Sequence, residues 1–295
     1  MDNILIQNLT EEIKLLREEL HCIRSYLGVD NHNLINSKKF HNTAKNEESL
    51  VTFVPKDEEN NDAIKYLLSK KINIKSYKVE TEDDIFFKLS NYLGNRYPHL
   101  KDLYNTIKPS LSTGGSFYYN MQNKPQEVIA YATQFCNLLH QNAFLTNYSY
   151  KKSSKIIIGT PQRIGKVINF FTGGWLENYI LHFLLQLLKT KEINNFSFVQ
   201  NCQIELPNGD DFEIDMLFVI NDSPIWIECK TGDYQRYISK YADFRKKLGT
   251  SADKSILLVS DLPEGISKNL TSTFQIKVCD LNEGKMYIED LVDKL

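Results

Sequence analysis

Asp215, Glu228 and Lys230 have the residue types and spacing of a hydrolytic metal site. Glu228 and Lys230 are one residue apart, directly after Ile225-Trp226-Ile227, a run that reads as a buried central strand. Side chains alternate along a strand, so the acid and the amine share one face and Cys229 takes the other. Asp215 falls near the start of the preceding strand, across the turn Asn221-Asp222-Ser223-Pro224. Charge is rarely buried in such a place unless it is paired or bound to metal. Two carboxylates on neighbouring strands suit a hard cation such as Mg²⁺, which takes one or two carboxylates and keeps its waters and substrate phosphate oxygens. A cation there lowers the pKa of bound water and offsets charge at a phosphorus centre. Lys230 is placed to orient the water or to stabilise the charge that develops. Those are the parts that phosphodiester hydrolysis needs.

The elements that must position these residues follow from periodicity. Gly173-Gly174 precedes a helix expected over 175–189. Strands are expected near 198–206, 212–220 and 225–230, with a turn at Pro207-Asn208-Gly209 between the first two. A helix over 234–248, a buried strand over 255–260 and a further strand over 274–278 complete the pattern. The order helix, three strands, helix, strand makes 166–295 a mixed α/β domain.

Upstream, 61–165 reads as mostly helical, with helices at 62–70, 83–93, 97–107 and 125–141 and with Pro109 and Gly114-Gly115 as punctuation. Strands at 143–150 and 155–158 are joined by Lys151, Lys152, Ser153 and Ser154. Helices followed by a basic-tipped hairpin suggest a winged helix-turn-helix. Its tip would meet phosphates through Lys151 and Lys152; the competing reading is a solvated turn. Residues 1–28 carry a heptad seam, Ile6, Leu9, Ile13, Leu16, Leu20, Ile23 and Leu27, as a short coiled coil requires. Residues 29–60 are rich in Asn, His, Lys and Glu and read as a linker, with a short adhering strand at 50–54.

Asp215 and Glu228-Cys229-Lys230, in this order of elements, resemble the PD-(D/E)xK nuclease superfamily. Taken with Gly173-Gly174-Trp175-Leu176-Glu177 and Glu213-Ile214-Asp215, the pattern is similar to the nuclease half of the CARF-linked CRISPR ancillary nucleases. The resemblance implies a restriction-endonuclease-like αβββαβ core and metal-dependent cleavage of DNA or RNA. It also implies a role in defence against foreign nucleic acid, and Glu177 as a helical metal ligand beside Asp215 and Glu228. An acid in the first turn of a helix is also favoured by the helix dipole alone. The N-terminal pattern departs from that family: a coiled coil and linker stand where a CARF sensor is expected.

Glu213, two residues before Asp215, is a candidate second metal contact. The helix after the site carries Arg236 and Lys240, candidates for holding a phosphate backbone. The formal net charge of −2 makes any such contact local. Five cysteines, with no CxxC pair and no zinc-spaced histidine, point away from disulfides and structural zinc and toward a reducing cytoplasm. No membrane span or signal peptide is read. The expectation is thus an Mg²⁺- or Mn²⁺-dependent endonuclease. Its substrate would be DNA rather than RNA, it would pair through the coiled coil, and a partner defence protein is an open option. The rival is a non-catalytic nucleic-acid-binding or scaffold subunit with a degenerate nuclease fold.

Overall fold

The computed structural model describes residues 60–79, 84–206 and 209–295. The expected coiled coil, the linker to residue 59 and the strand at 50–54 lie outside the described residues. Helix α1 (Asp62–Ser69) starts at Asn61, whose Oδ1 accepts the N–H groups of Ala63 (3.0 Å) and Ile64 (3.3 Å) as a side-chain cap. Next come β1 (Asn73–Lys78), α2 (Asp84–Asn95), α3 (Tyr97–Thr113), β2 (Phe117–Asn120), α4 (Gln126–Gln141), β3 (Leu145–Lys151), β4 (Ile156–Pro161) and α5 (Gly165–Asn169). A wide turn, Phe170–Gly174, leads into α6 (Trp175–Thr190). Then follow β5 (Phe196–Glu205), β6 (Asp211–Ile220), β7 (Ser223–Lys230), α7 (Ile238–Leu248), β8 (Ser255–Val259), α8 (Ser267–Phe274), β9 (Lys277–Cys279) and α9 (Leu281–Val292).

Six strands form one mixed sheet in the order β1-β5-β6-β7-β8-β9, antiparallel from β1 to β7 and parallel from β7 to β9. The expected helix, three strands, helix, strand order is present as α6 to β8. A separate antiparallel sheet, β2-β4-β3, holds the hairpin with the basic tip.

Several local expectations change, among them a helix start at Ile238 rather than 234. The strand expected over 274–278 begins later: Phe274 ends α8, Gln275 turns the chain at φ 56°, and the strand is Lys277–Cys279. Alternating apolar residues there carried the strand signal across a helix end. Pro109 lies inside α3, which ends only at Gly114 (φ 70°). A proline forfeits one backbone bond, but the buried stripe Leu100, Leu103, Tyr104, Ile107 and Leu111 keeps the helix seated. And β1, inside the stretch read as mostly helical, pairs with β5 at the edge of the large sheet.

The large sheet separates two apolar cores. One joins α2–α4, α6 and α9 to Phe198, Met216, Phe218, Ile225, Ile227 and Cys229, with no break at the 165/166 boundary drawn from the sequence. The other packs α1, α7 and Phe274 on Val199, Cys202, Ile204, Ile214, Leu217, Val219 and Trp226. Helix α6 is apolar nearly all round, as a fully covered helix must be, and its charges sit at its ends, Glu177 and Lys189.

Two strands change faces at the same level. In β6, Phe212 and Ile214 point to the second core, yet Met216, Phe218 and Ile220 point to the first. In β5, Phe198 faces the first core, while Val199 and then Cys202 and Ile204 face the second. Strict alternation would keep positions of equal parity together. The switch falls at Asp215 in β6 and at Asn201 in β5, residues bracketed by the pairs Gln200↔Met216 and Cys202↔Ile214. Asn201 has φ 45°, and opposite it β1 spends two residues, Ser76 to Lys78, where β5 spends three, Gln200 to Gln203. That is a β-bulge, the device that re-aims side chains beside functional sites.

Candidate active site

The ladder between β6 and β7 is regular from Ile220↔Ser223 to Met216↔Ile227 and stops there. Beyond it, side chains take over from the backbone. The Asp215 N–H donates to Glu228 Oε1 (3.1 Å), and the Cys229 N–H donates to Asp215 Oδ2 (2.8 Å). Each strand's amide is thus satisfied by the other strand's carboxylate, and both acids are drawn into the sheet. Asp215 is 6 % exposed and Glu228 1 %. Trp226, two residues back on the same face of β7, donates its indole Nε1–H to Glu228 Oε1 (3.0 Å). The face-sharing expected for Glu228 and Lys230 is seen: Cys229 joins the opposite core, while Lys230 Nζ lies 3.3 Å from Asp215 Oδ2 and 3.7 Å from Glu228 Oε2. The ring of Tyr241, from α7, is 5.6 Å from that ammonium.

Glu177 arrives from the other layer. The wide turn Phe170–Gly174 sets the start of α6, and Gly174 fits it closely: a Cβ would stand 2.8 Å from Asn169 Nδ2 and 3.1 Å from the Asn169 carbonyl oxygen. A Cβ on Gly173 would lie 3.8 Å from Glu177 Oε1 and 3.9 Å from Thr231 Oγ1, so the glycine pair, the acid and the end of β7 are neighbours. Asn201 Nδ2 donates to Glu177 Oε2 (3.1 Å). Thr231 Oγ1 donates to the Thr172 carbonyl (3.2 Å), and Lys108 Nζ of α3 donates to the Thr231 carbonyl (3.2 Å). Burial pulls the Lys108 ammonium below the ordinary lysine range.

Two acids pair with one ammonium and a third, Glu177, feels their charge, and the electrostatics follow. Burial, and then the charge of Asp215, push the Glu177 carboxyl up to about 7. Burial raises Asp215 against the pull of Lys230, and burial with the Asp215 charge raises Glu228 well above the carboxylate range. For Lys230, burial works against the charged form, but Asp215 and Glu228 outweigh it and hold the amine above its ordinary range. The site carries more negative charge than its own cation balances. Such a site favours protons or a divalent ion.

The donor set is oxygen-rich and suits a hard cation. Glu177 Oε1 and Asp215 Oδ1 accept no hydrogen bond from the described residues, while their partner oxygens are engaged. No three His, Cys, Asp or Glu side chains among the described residues converge closely enough to hold an ion by themselves. A cation there fits as Mg²⁺ commonly binds, on one or two carboxylates with water and phosphate oxygens completing its shell.

Of the sequence candidates, Asp215, Glu228 and Lys230 are in contact, and Glu177 lies within reach of the charges of Asp215 and Lys230. Glu213 is exposed, and its charge reaches Glu177 and Asp215. Lys240 stands on α7 with Nζ 3.2 Å from the Asp211 carbonyl and 5.1 Å from the Phe212 ring centre. Arg236 pairs with Asp233 (2.7 Å) on the surface. Lys151 and Lys152 are exposed at the tip of the β3–β4 hairpin, on the smaller sheet. Sequence reasoning missed Asn201 and Trp226. Asn inside a strand pattern is itself a signal, since Asn is poor in strands and tolerant of left-handed backbone.

Among the described residues, Cys136, Cys202, Cys229 and Cys279 are free, buried thiols, and no helix is long and apolar enough to cross a membrane.

No family model matches the chain, and no curated protein matches it. Solved structures share its fold. Can2 from Sulfobacillus thermosulfidooxidans, in complex with cyclic tetra-adenylate, has a TM-score of 0.55 at 14% identity, over 78% of this chain and 61% of that one. The protein VC1899 from Vibrio cholerae has a TM-score of 0.52 at 18% identity, over 79% and 60%. The chain spans about three fifths of the length of each.

Proposed function

We propose that the chain is a metal-dependent endonuclease of the PD-(D/E)xK type that hydrolyses phosphodiester bonds in DNA, with RNA as a second candidate, in defence against foreign nucleic acid. One observation carries this reading: the β6–β7 ladder opens where Asp215, Glu228 and Lys230 meet, and Glu177, on α6, feels the charge of Asp215 and Lys230. The fold shared with Can2 supports it.

Asp215, Glu228 and Glu177 are the candidate acids for Mg²⁺ or Mn²⁺, one or two of them binding it directly and the others through water, with Glu213 as an outer contact. A bound cation supplies Lewis acidity and a more acidic water. Lys230, held between two carboxylates, keeps its proton and is placed to steady charge on a phosphoryl oxygen. The indole of Trp226 and the Asp215 N–H fix one oxygen of Glu228, leaving its Oε2 toward Lys230. Cys229 N–H does the same for Asp215 Oδ2. Lys240, Arg236, Lys151 and Lys152 are proposed to hold the nucleic-acid backbone, the last two as the wing of a winged-helix-like unit, and the N-terminal heptads to pair protomers.

The test is incubation with plasmid, single-stranded DNA and RNA in Mg²⁺, Mn²⁺ or EDTA, with Lys230→Ala alongside. Metal-dependent cutting that the variant loses is the expected outcome. Cutting that survives EDTA or the substitution removes the assigned site, and binding without cutting favours the scaffold rival.

A further inference from the structure

Glu177 is the acid that stands outside the sheet, and its placement is set by a residue outside the nuclease pattern. We infer that Asn201 is a positioning residue that, from the β5 bulge, fixes Glu177 for cation binding. This rests on the metal-site reading above.

The backbone supplies the first argument. Asn201 holds φ 45° in the middle of a strand. A left-handed backbone is disfavoured for L-residues, with Asn among those that bear it most easily. Toward β6 the flanking pairs are ordinary, so the irregularity is confined to the bulge against β1. An outlier of this kind is held by what it achieves.

The side chain supplies the second. The bulge puts one extra residue of β5 against β1 and sits level with Asp215, the point at which β6 also changes face. From there the Asn201 amide reaches out of the sheet to α6 and donates to Glu177 Oε2 at 3.1 Å. A carboxylate with one oxygen engaged by a neutral amide and the other without a partner among the described residues presents a single directed ligand atom. Oxygen Oε1 is the one beside Gly173, a residue that also neighbours Thr231, just past the end of β7. A neutral donor also leaves the charge of Glu177 intact, which a lysine in its place would cancel.

The experiment uses the full chain and Mn²⁺ titrated calorimetrically, with thermal unfolding in parallel. Asn201→Gly accepts the left-handed backbone without strain and deletes only the amide, so the melting temperature is expected to stay within a few degrees. Its Mn²⁺ affinity is expected to fall about 10- to 100-fold, the usual cost of removing an outer partner of a ligand. In a Glu177→Gln background the same substitution is expected to change the affinity less than 2-fold, because the amide then has no carboxylate to orient. Asn201→Ser, also tolerant of turns, provides a second amide-free variant if the glycine form folds poorly. An unchanged affinity in a well-folded Asn201→Gly protein, or a full additional loss in the Glu177→Gln background, overturns the assignment and leaves the metal-site reading standing. A wild-type chain that binds no Mn²⁺ overturns both.

Discussion

The two ends of one hairpin differ in what joins its strands. From Met216↔Ile227 to Ile220↔Ser223, β6 and β7 are linked by backbone bonds and lined by Phe218, Ile220, Ile225 and Ile227. Past Met216 the same strands are linked by carboxylates, and Lys230 is wedged between Asp215 and Glu228. The closed end is built for stability. The open end collects negative charge that burial penalises, a cost that an unliganded fold has no reason to carry. The difference teaches that the candidate chemistry lies in a local failure of sheet pairing rather than in a cleft between domains.

Substitutions sharpen that contrast, the strongest first. At the open end, Lys230→Ala is expected to lower cleavage by on the order of a hundred- to a thousand-fold, measured as plasmid conversion at saturating Mn²⁺. At the closed end, Phe218→Ala is expected to cost about 3–5 kcal/mol in urea unfolding. Its Mn²⁺ affinity should be unchanged while folded. If the two variants share one phenotype, the distinction between the ends collapses.

Glu177→Gln is expected to act in the opposite direction on stability. The Glu177 carboxyl in the folded chain titrates at about 7 against an ordinary 4.5. The folded state therefore holds that proton more tightly than the unfolded chain does, and metal-free stability falls as pH climbs from about 4.5 to about 7, then levels off. Removing the acid abolishes that loss. The metal-free variant is expected to be more stable at pH 8 by about 3 kcal/mol, and equal to wild type at pH 4. A melting curve at pH 8 that drops on substitution would show Glu177 to be a structural acid.

Smaller effects follow at the periphery. Trp226→Phe keeps the ring among Phe212, Tyr241 and Phe244 but removes the donor to Glu228. A roughly 10-fold weaker Mn²⁺ affinity is expected from calorimetry. The joint Lys151→Ala and Lys152→Ala change is expected to flatten the salt dependence of DNA binding by about two charges, with cleavage of bound DNA untouched. An unaltered slope assigns the hairpin to solvent.

Much of this was legible in the sequence for physical reasons. The i, i+2 spacing of Glu228 and Lys230 on an apolar strand dictated their shared face. Gly173-Gly174 and the largely apolar run after it marked α6, with Glu177 the one acid in it. Alternation failed as a guide where strands bulge: it carries no hint that β5 and β6 both switch faces at Asn201 and Asp215, so the amide on Glu177 went unseen. Strand β1 was missed because Asn73–Lys78, an edge strand, has mostly exposed positions and little apolar alternation. Helix α3 continues past Pro109 because its far side is buried, which local punctuation does not record.

The most direct check on the central claim, that the opened end of the hairpin is a cation site, is Mn²⁺ binding at pH 6.5 followed by calorimetry in two buffers of different ionisation enthalpy. Binding with net proton release is expected, because the cation displaces a proton from acids whose pKa values burial has raised, and Asp215→Asn should abolish it. Absence of binding in the wild-type chain, or binding of equal strength and proton count in Asp215→Asn, would contradict it.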